Sequence, residues 1–384
     1  MGAFDGVNAP TLKIQFWFNN AWTDVPTADL RSIDIYRGRT RSDQRIDPGQ
    51  LIVTLDNRSG NYDPDNLSGP WVSGGVTALR ADLRCRVLAT WSSTTYTLYV
   101  GYLETTKLDA GFDATATMTF VDAIMVLGRY FAPSLLKSSF NGETTSARVG
   151  RMLTYAGWTG GRSLTGSVQL AATTQGTQRI PTPIMDIIYQ CEDAEAGCFY
   201  ISRTGTATFV NLTNKFSRPT QLTFDDQQTA NTVEYDEIDT NPGIFNFINA
   251  ALVKYKAKNN PDASQLWRNK QSIAKYGLKI RQFDTEILTL GTANKLAQYY
   301  ATYTKDPKTW CASVGFNALA LGALYPDFLE TEIQDLCIVK RRTVDGRNLT
   351  FNLTIEGYRH SITATSWRTT YYTSPISATR VTLP

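Results

Sequence analysis

Apolar residues in this chain return at every second position, stretch after stretch. That period commits most of the polypeptide to half-buried β-strands. Leu12, Ile14, Phe16 and Phe18 alternate with Lys13, Gln15 and Trp17, and Asn19-Asn20 supplies a turn before Trp22 and Val25. Ile33 and Ile35 mark a short strand, and Leu51, Val53 and Leu55 mark another after the turn signal Pro48-Gly49. Leu83 to Ala89, Tyr96 to Tyr102 and Ala114 to Phe120 repeat the pattern. Strict alternation leaves one sheet face wet and the other in need of cover, as in antiparallel meanders. Residues 1–128 therefore read as a small β-barrel or sandwich, with the Gly69-Pro70-Trp71 loop placed to dock against the sheet.

The period changes in the middle. Ser146 is a candidate N-cap for a helix with Val149, Met152, Leu153 and Ala156 on one face and Gly157 at its end. Thr182 and Pro183 read as N-cap and first residue of a second helix carrying Ile184, Ile187, Ile188 and Cys191. Phe199 to Val210 then reads as a hairpin turning at Arg203-Thr204-Gly205. Residues 129–225 are thus mixed α+β, and residues 226–384 return to β around one helix marked by Leu296, Tyr299, Tyr300 and Tyr303.

Two stretches echo one another, residues 82–120 and residues 335–373. Each opens on Asp-Leu and passes through strand, polar turn, strand, Gly-Tyr (Gly101-Tyr102 and Gly357-Tyr358) and a Thr-rich strand. The fold class that follows is mainly β, with two related small antiparallel β-barrels flanking a mixed α+β region. The bland alternative is that any two meanders look alike.

Enzyme chemistry finds little support. The only histidine is His360, so no Ser-His-Asp or Cys-His arrangement can be assembled, and neither phosphate-cradling motif occurs. The run Asp56 to Asn66 is rich in oxygen ligands, but its spacing is not that of a calcium loop and a tight turn explains the same residues. Neither a metal nor a cofactor is expected. Cys85, Cys191, Cys198, Cys311 and Cys337 are scattered and odd in number, which suits buried free thiols. A net charge of +3 is too small to imply nucleic acid or an anionic membrane, no apolar run could span a bilayer, and the N-terminus lacks a secretory pattern.

Charge is nonetheless segregated. Residues 225–239 carry six acids, including Asp236 and Glu237, and no base; residues 254–281 carry eight bases, including Lys254, Lys256 and Lys258, against Asp262. Tyr255, Trp267 and Tyr276 would let the basic run stack on single-stranded nucleic acid. The favoured reading is that it meets an acidic surface on a neighbouring subunit and steers assembly.

Tyr36 to Pro64 carries a more specific signal: Arg37-Gly38-Arg39 in a basic loop with Arg41, then Pro48-Gly49, the strand Val53-Thr54-Leu55-Asp56-Asn57, and Gly60-Asn61-Tyr62-Asp63-Pro64. This order resembles the opening domain of phage minor tail proteins of the tail-tip hub family, related in fold to the central hub of contractile-tail baseplates. The resemblance implies a non-enzymatic virion protein, assembled in the host cytoplasm as a homotrimer. Its implied partners are the distal tail ring, the tape measure protein and other minor tail proteins, with DNA only in transit through the lumen. It further implies that Arg37, Arg39, Arg41, Asp56 and Asn57 face a neighbouring ring or subunit. The rival readings are a hexameric distal ring protein and a module that binds host cell-wall carbohydrate.

Overall fold

The computed structural model describes residues 8–132, 140–172, 182–227, 229–241, 247–257 and 260–376. The alternating runs form the expected strands: β1 (Thr11–Phe18), β2 (Ala21–Asp24), β3 (Leu30–Gly38), β4 (Asp47–Asp56), the short hairpin β5 (Val72–Ser73) and β6 (Val76–Thr77), then β7 (Arg84–Trp91), β8 (Thr94–Asp109) and β9 (Thr115–Val121). Asn19 and Asn20 both take positive φ, as the two-residue turn between β1 and β2 demands. Pro48-Gly49 is not a turn, because both residues lie inside β4. Trp71 does dock, its ring centroid 5.0 Å from that of Phe16 inside the first core.

A short helix, α1 (Ala123–Leu127), leads into the middle region, where β10 (Phe131–Ala132) pairs with β12 (Thr182–Pro183). The two expected helices are α2 (Thr145–Tyr155) and α3 (Ile184–Glu195), packed against a three-stranded sheet of β11 (Arg162–Leu164), β13 (Cys198–Ile201) and β14 (Ala207–Val210). Both helix starts differ from expectation. Thr144, not Ser146, caps α2, accepting from Ala147 N. Thr182-Pro183 is spent on β12, so α3 begins one residue later without a side-chain cap.

After α4 (Leu212–Lys215) come β15 (Thr220–Asp225) and β16 (Glu237–Asn241). The last third holds more than one inserted helix. Strands β17 (Ala250–Ala257), β18 (Asn260–Arg268) and β19 (Ile280–Asp284) form their own sheet with α5 (Lys270–Tyr276) and α6 (Leu290–Tyr303). The chain then returns with β20 (Trp310–Asn317), α7 (Tyr325–Glu330), β21 (Leu336–Arg342), β22 (Asn348–Thr363) and β23 (Trp367–Pro375).

The large sheet reveals a repeat. Its path runs β16-β20-β23-β22-β3-β4-β9-β8-β7-β1-β2, with β21 and β15 branching from β22. Split at the β22–β3 junction, it is one order written twice: β3-β4-β9-β8-β7-β1 and β16-β20-β23-β22-β21-β15. Val233 bonds to Thr223 and Asp225 of β15 just ahead of β16, so a single bridge links the two ends of the second unit. Among the described residues no ladder joins β1 to β3, so the first unit keeps a seam there. One orientation also differs: β1 is antiparallel to β7, whereas β15 is parallel to β21.

Backbone pairing fixes which residues correspond. Leu103 of β8 bonds to Asp82 and Leu83; Ile355 of β22 bonds in the same way to Gln334 and Asp335. Asp82 and Gln334 both take positive φ, and a bulge follows each anchor, at Glu104 and at Glu356. Leu103 thus matches Ile355, and Gly357 matches Thr105 rather than Gly101. The duplication is present in the fold, but the Asp-Leu and Gly-Tyr letters that suggested it are out of register.

Candidate assembly interface

Of the four arginines around the basic loop, Arg37 and Arg39 are buried and Arg45 packs half-exposed against the middle region. Arg37 is the last residue but one of β3, and Gly38 ends the strand with φ +92°, which redirects the chain. The Arg37 side chain is buried, reaching Glu332 at 2.8 Å and donating to the Tyr358 hydroxyl and the Ile201 carbonyl. One guanidinium therefore touches the first unit, the middle region and the second unit. Arg203 completes this junction: its backbone N donates to Glu332 at 2.6 Å and its side chain to the Thr97 carbonyl at 2.8 Å.

Arg39 is buried beside Glu356, with Nη2 2.6 Å and Nε 2.7 Å from the same carboxylate oxygen. Burial works against the charged form of Glu356, yet Arg39 opposite holds its pKa below the usual value. Arg45 bonds to Glu192 and Asp193 of α3, both at 2.7 Å, with its guanidinium over the Tyr189 ring. The expectation that Arg37 and Arg39 face a neighbouring subunit is corrected: they are ion-paired inside the chain. Arg41 is fully at the surface, against Asp43.

Asp56 is held by Arg31 and Arg58, and Asn57 accepts from the Tyr62 amide at 2.9 Å. Both serve the turn after β4 rather than a free surface. Asp122, which the sequence reading passed over, accepts from Gly49 N at 2.8 Å and Ile124 N at 2.9 Å. Burial pushes its pKa up to about 7 in spite of those bonds. A Cβ on Gly49 would lie 2.7 Å from that carboxylate, which is why glycine stands there.

Asp236 and Glu237 lie at the start of β16 and both pair with Arg368 of β23. Lys254 sits exposed on β17, 3.3 Å from Asp284; Lys256 is half-buried and Lys258 lies outside the described residues. Arg268, Lys270, Lys275, Lys279 and Arg281 keep the outer sheet basic and exposed. Among the described residues no ion pair links the acidic run to the basic one.

His360 sits in an apolar cage of Phe328, Tyr358 and Trp367, with Nδ1 2.9 Å from the Thr369 hydroxyl. Desolvation, aided by Arg37, lowers its pKa to about 3, so it stays neutral and packs as core. All five cysteines are free and buried, as expected. Among the described residues no helix is long and apolar enough to cross a membrane, and no cluster of His, Cys, Asp or Glu could hold a metal. An open cleft of about 280 Å³ lies between the Arg203-Thr204 turn and Asp335, but Arg218 and Asp335 pair across it at 2.7 Å.

The sequence matches no protein-family model and no curated protein. Its backbone does match solved structures along nearly its whole length. A tail protein from Neisseria meningitidis MC58 superposes with a TM-score of 0.63 at 9% identity, over 94% of this chain and 96% of that one. The chain has the fold of phage tail proteins. The 43 kDa tail protein of prophage MuSo2 from Shewanella oneidensis gives 0.59 at 10% identity over 95% and 97% of the two chains. Prophage tail protein gp18 from Listeria monocytogenes EGD-e gives 0.54 at 8% identity over 95% of each. The tail-protein fold thus accounts for both β units, the middle region and the outer sheet together.

Proposed function

We propose that this protein is a structural hub subunit of a phage tail tip, three copies forming a ring around the channel through which DNA leaves. The observation that carries this reading is the strand order written twice within one continuous sheet. Three chains with two like units each present six similar faces, so such a ring suits a sixfold tube on one side and threefold components on the other. The buried pairs of Arg37 and Arg39 and the half-exposed pair of Arg45 support it, because quasi-equivalence requires the two units to keep one fixed rotation, and those pairs clamp all three regions together.

The distal tail ring, the tape measure protein and other minor tail proteins are the proposed partners. The exposed basic face around Lys254 is a second contact surface, complementary to an acidic neighbour. Copy number tests the reading. Native mass spectrometry of the purified chain and symmetry analysis of tail micrographs should both give three; six copies would make it a distal ring protein instead. Retention of the purified chain on host cell wall would favour the carbohydrate-binding alternative.

A further inference from the structure

The contact between the two units inside one chain supplies a template. Within the chain, β3 of the first unit lies antiparallel on the second half of β22, with Asp34 opposite Ser361 and Ile35 opposite His360. Across this ladder Arg359 bonds to Asp34 at 2.9 Å. In the repeat, β16 corresponds to β3 and β8 to β22. Ile33 and Ile238 face Val53 and Val314, and Asp34 and Asp239 face Ile52 and Ser313. The shared anchor and bulge make Thr105 the match of Gly357 and Lys107 the match of Arg359.

Among the described residues the matching edges are both vacant. Among the described residues β16 pairs only with β20, leaving its other edge open. Among the described residues the second half of β8 pairs with β9 alone beyond Leu103, because β7 begins only at Arg84, opposite Tyr102. Open edges invite strand addition, and here they lie where the template has a strand. The chemistry is conserved as well. Lys107, with its side chain 77% exposed, stands where Arg359 stands, and exposed Asp239 stands where Asp34 stands. Leu108 is 40% exposed on this edge, whereas its counterpart His360 is buried.

We propose that β16 of one subunit adds to the second half of β8 of the next copy of this chain, antiparallel. Asp239 then lies opposite Asp109 of the neighbour, and Lys107 sits between the two carboxylates. Three such junctions alternate with three internal β3–β22 junctions and close one sheet around the ring. This rests on the trimer reading above and adds its register.

The test uses the full chain carrying Asp109→Cys and Asp239→Cys, whose native thiols are all buried. Mild oxidation should give a covalent trimer on denaturing gels, and neither single variant should do so. Lys107→Glu should weaken trimer association at least tenfold, and the exchange Lys107→Glu with Asp239→Lys should restore it. A trimer by native mass spectrometry that neither cross-links nor responds to Lys107→Glu overturns the strand pairing and leaves the hub reading standing. A chain that stays monomeric at every concentration overturns both.

Discussion

Gly38 of β3 lies directly across the ladder from Gly357 of β22, and neither position has room for a side chain. A Cβ on Gly38 would fall 2.3 Å from the Glu356 carbonyl oxygen and 2.5 Å from Gly357 Cα; one on Gly357 would fall 2.6 Å from the Arg37 carbonyl oxygen. All three obstacles are backbone and cannot swing aside. The two β units therefore meet at a seam with glycine on both sides.

Gly38→Ala or Gly357→Ala should accordingly part β3 from β22 near the junction. The expected cost is at least ~3 kcal/mol, from the broken ladder at both positions and, at Gly38, from strain at positive φ as well. Gly346→Ala is the control, since its positive φ faces open space and should cost only about 1 kcal/mol. Urea midpoints of the three variants check this, and equal midpoints would refute it.

Arg39 and Glu356 form a buried pair, so removing one partner strands the other charge. Arg39→Met should cost about 3–5 kcal/mol, whereas Arg39→Met with Glu356→Leu should recover part of the loss. The coupling energy from the double-mutant cycle is the measurement. The second variant should retain a penalty, because Glu356 also accepts from Gln334 at 3.0 Å and from the Ser374 hydroxyl.

His360 makes stability depend on pH. Its folded pKa is depressed to about 3 from 6.5, so its contribution is present above the unfolded value and is lost as pH falls through that window. Asp122 works in the opposite sense: raised to about 7 from 3.8, it loses its contribution as pH rises through that range. Comparison with His360→Gln, which keeps a partner for Thr369, isolates the histidine. From about pH 7 to about pH 5 the native chain should lose roughly 2 kcal/mol more than the variant. Parallel losses in denaturant titrations would show that His360 is not held neutral.

Much of the β architecture is legible because alternation is a local property. Leu51, Val53 and Leu55 announce β4 without any knowledge of β9 or β3. The arginines are not legible for the opposite reason. Arg37 and Arg39 look solvated in a string of charges, and only the fold brings Glu332 and Glu356 to them from the far end of the chain. The outer sheet escapes notice because its charge masks its pattern: Lys254 and Lys256 flank the buried Tyr255, so the stretch reads as a basic run before it reads as a strand. The repeat shows a third case, in which spacing carries the signal while the particular letters mislead.

The basic face of that outer sheet gives the last test. Lys254 and Lys279 are exposed, and Lys254 lies 3.3 Å from Asp284. Reversing both to Glu should leave the unfolding free energy from urea titration within about 0.5 kcal/mol of the native value, as for most surface substitutions. Contacts that rely on steering by opposite charge form more slowly when one sign is reversed, and salt masks the difference. Incorporation of the variant into tails should therefore fall at low ionic strength and approach that of the native chain as salt is raised. Native incorporation at every ionic strength would mean that this face meets no acidic partner. An altered midpoint would place the defect in folding rather than assembly.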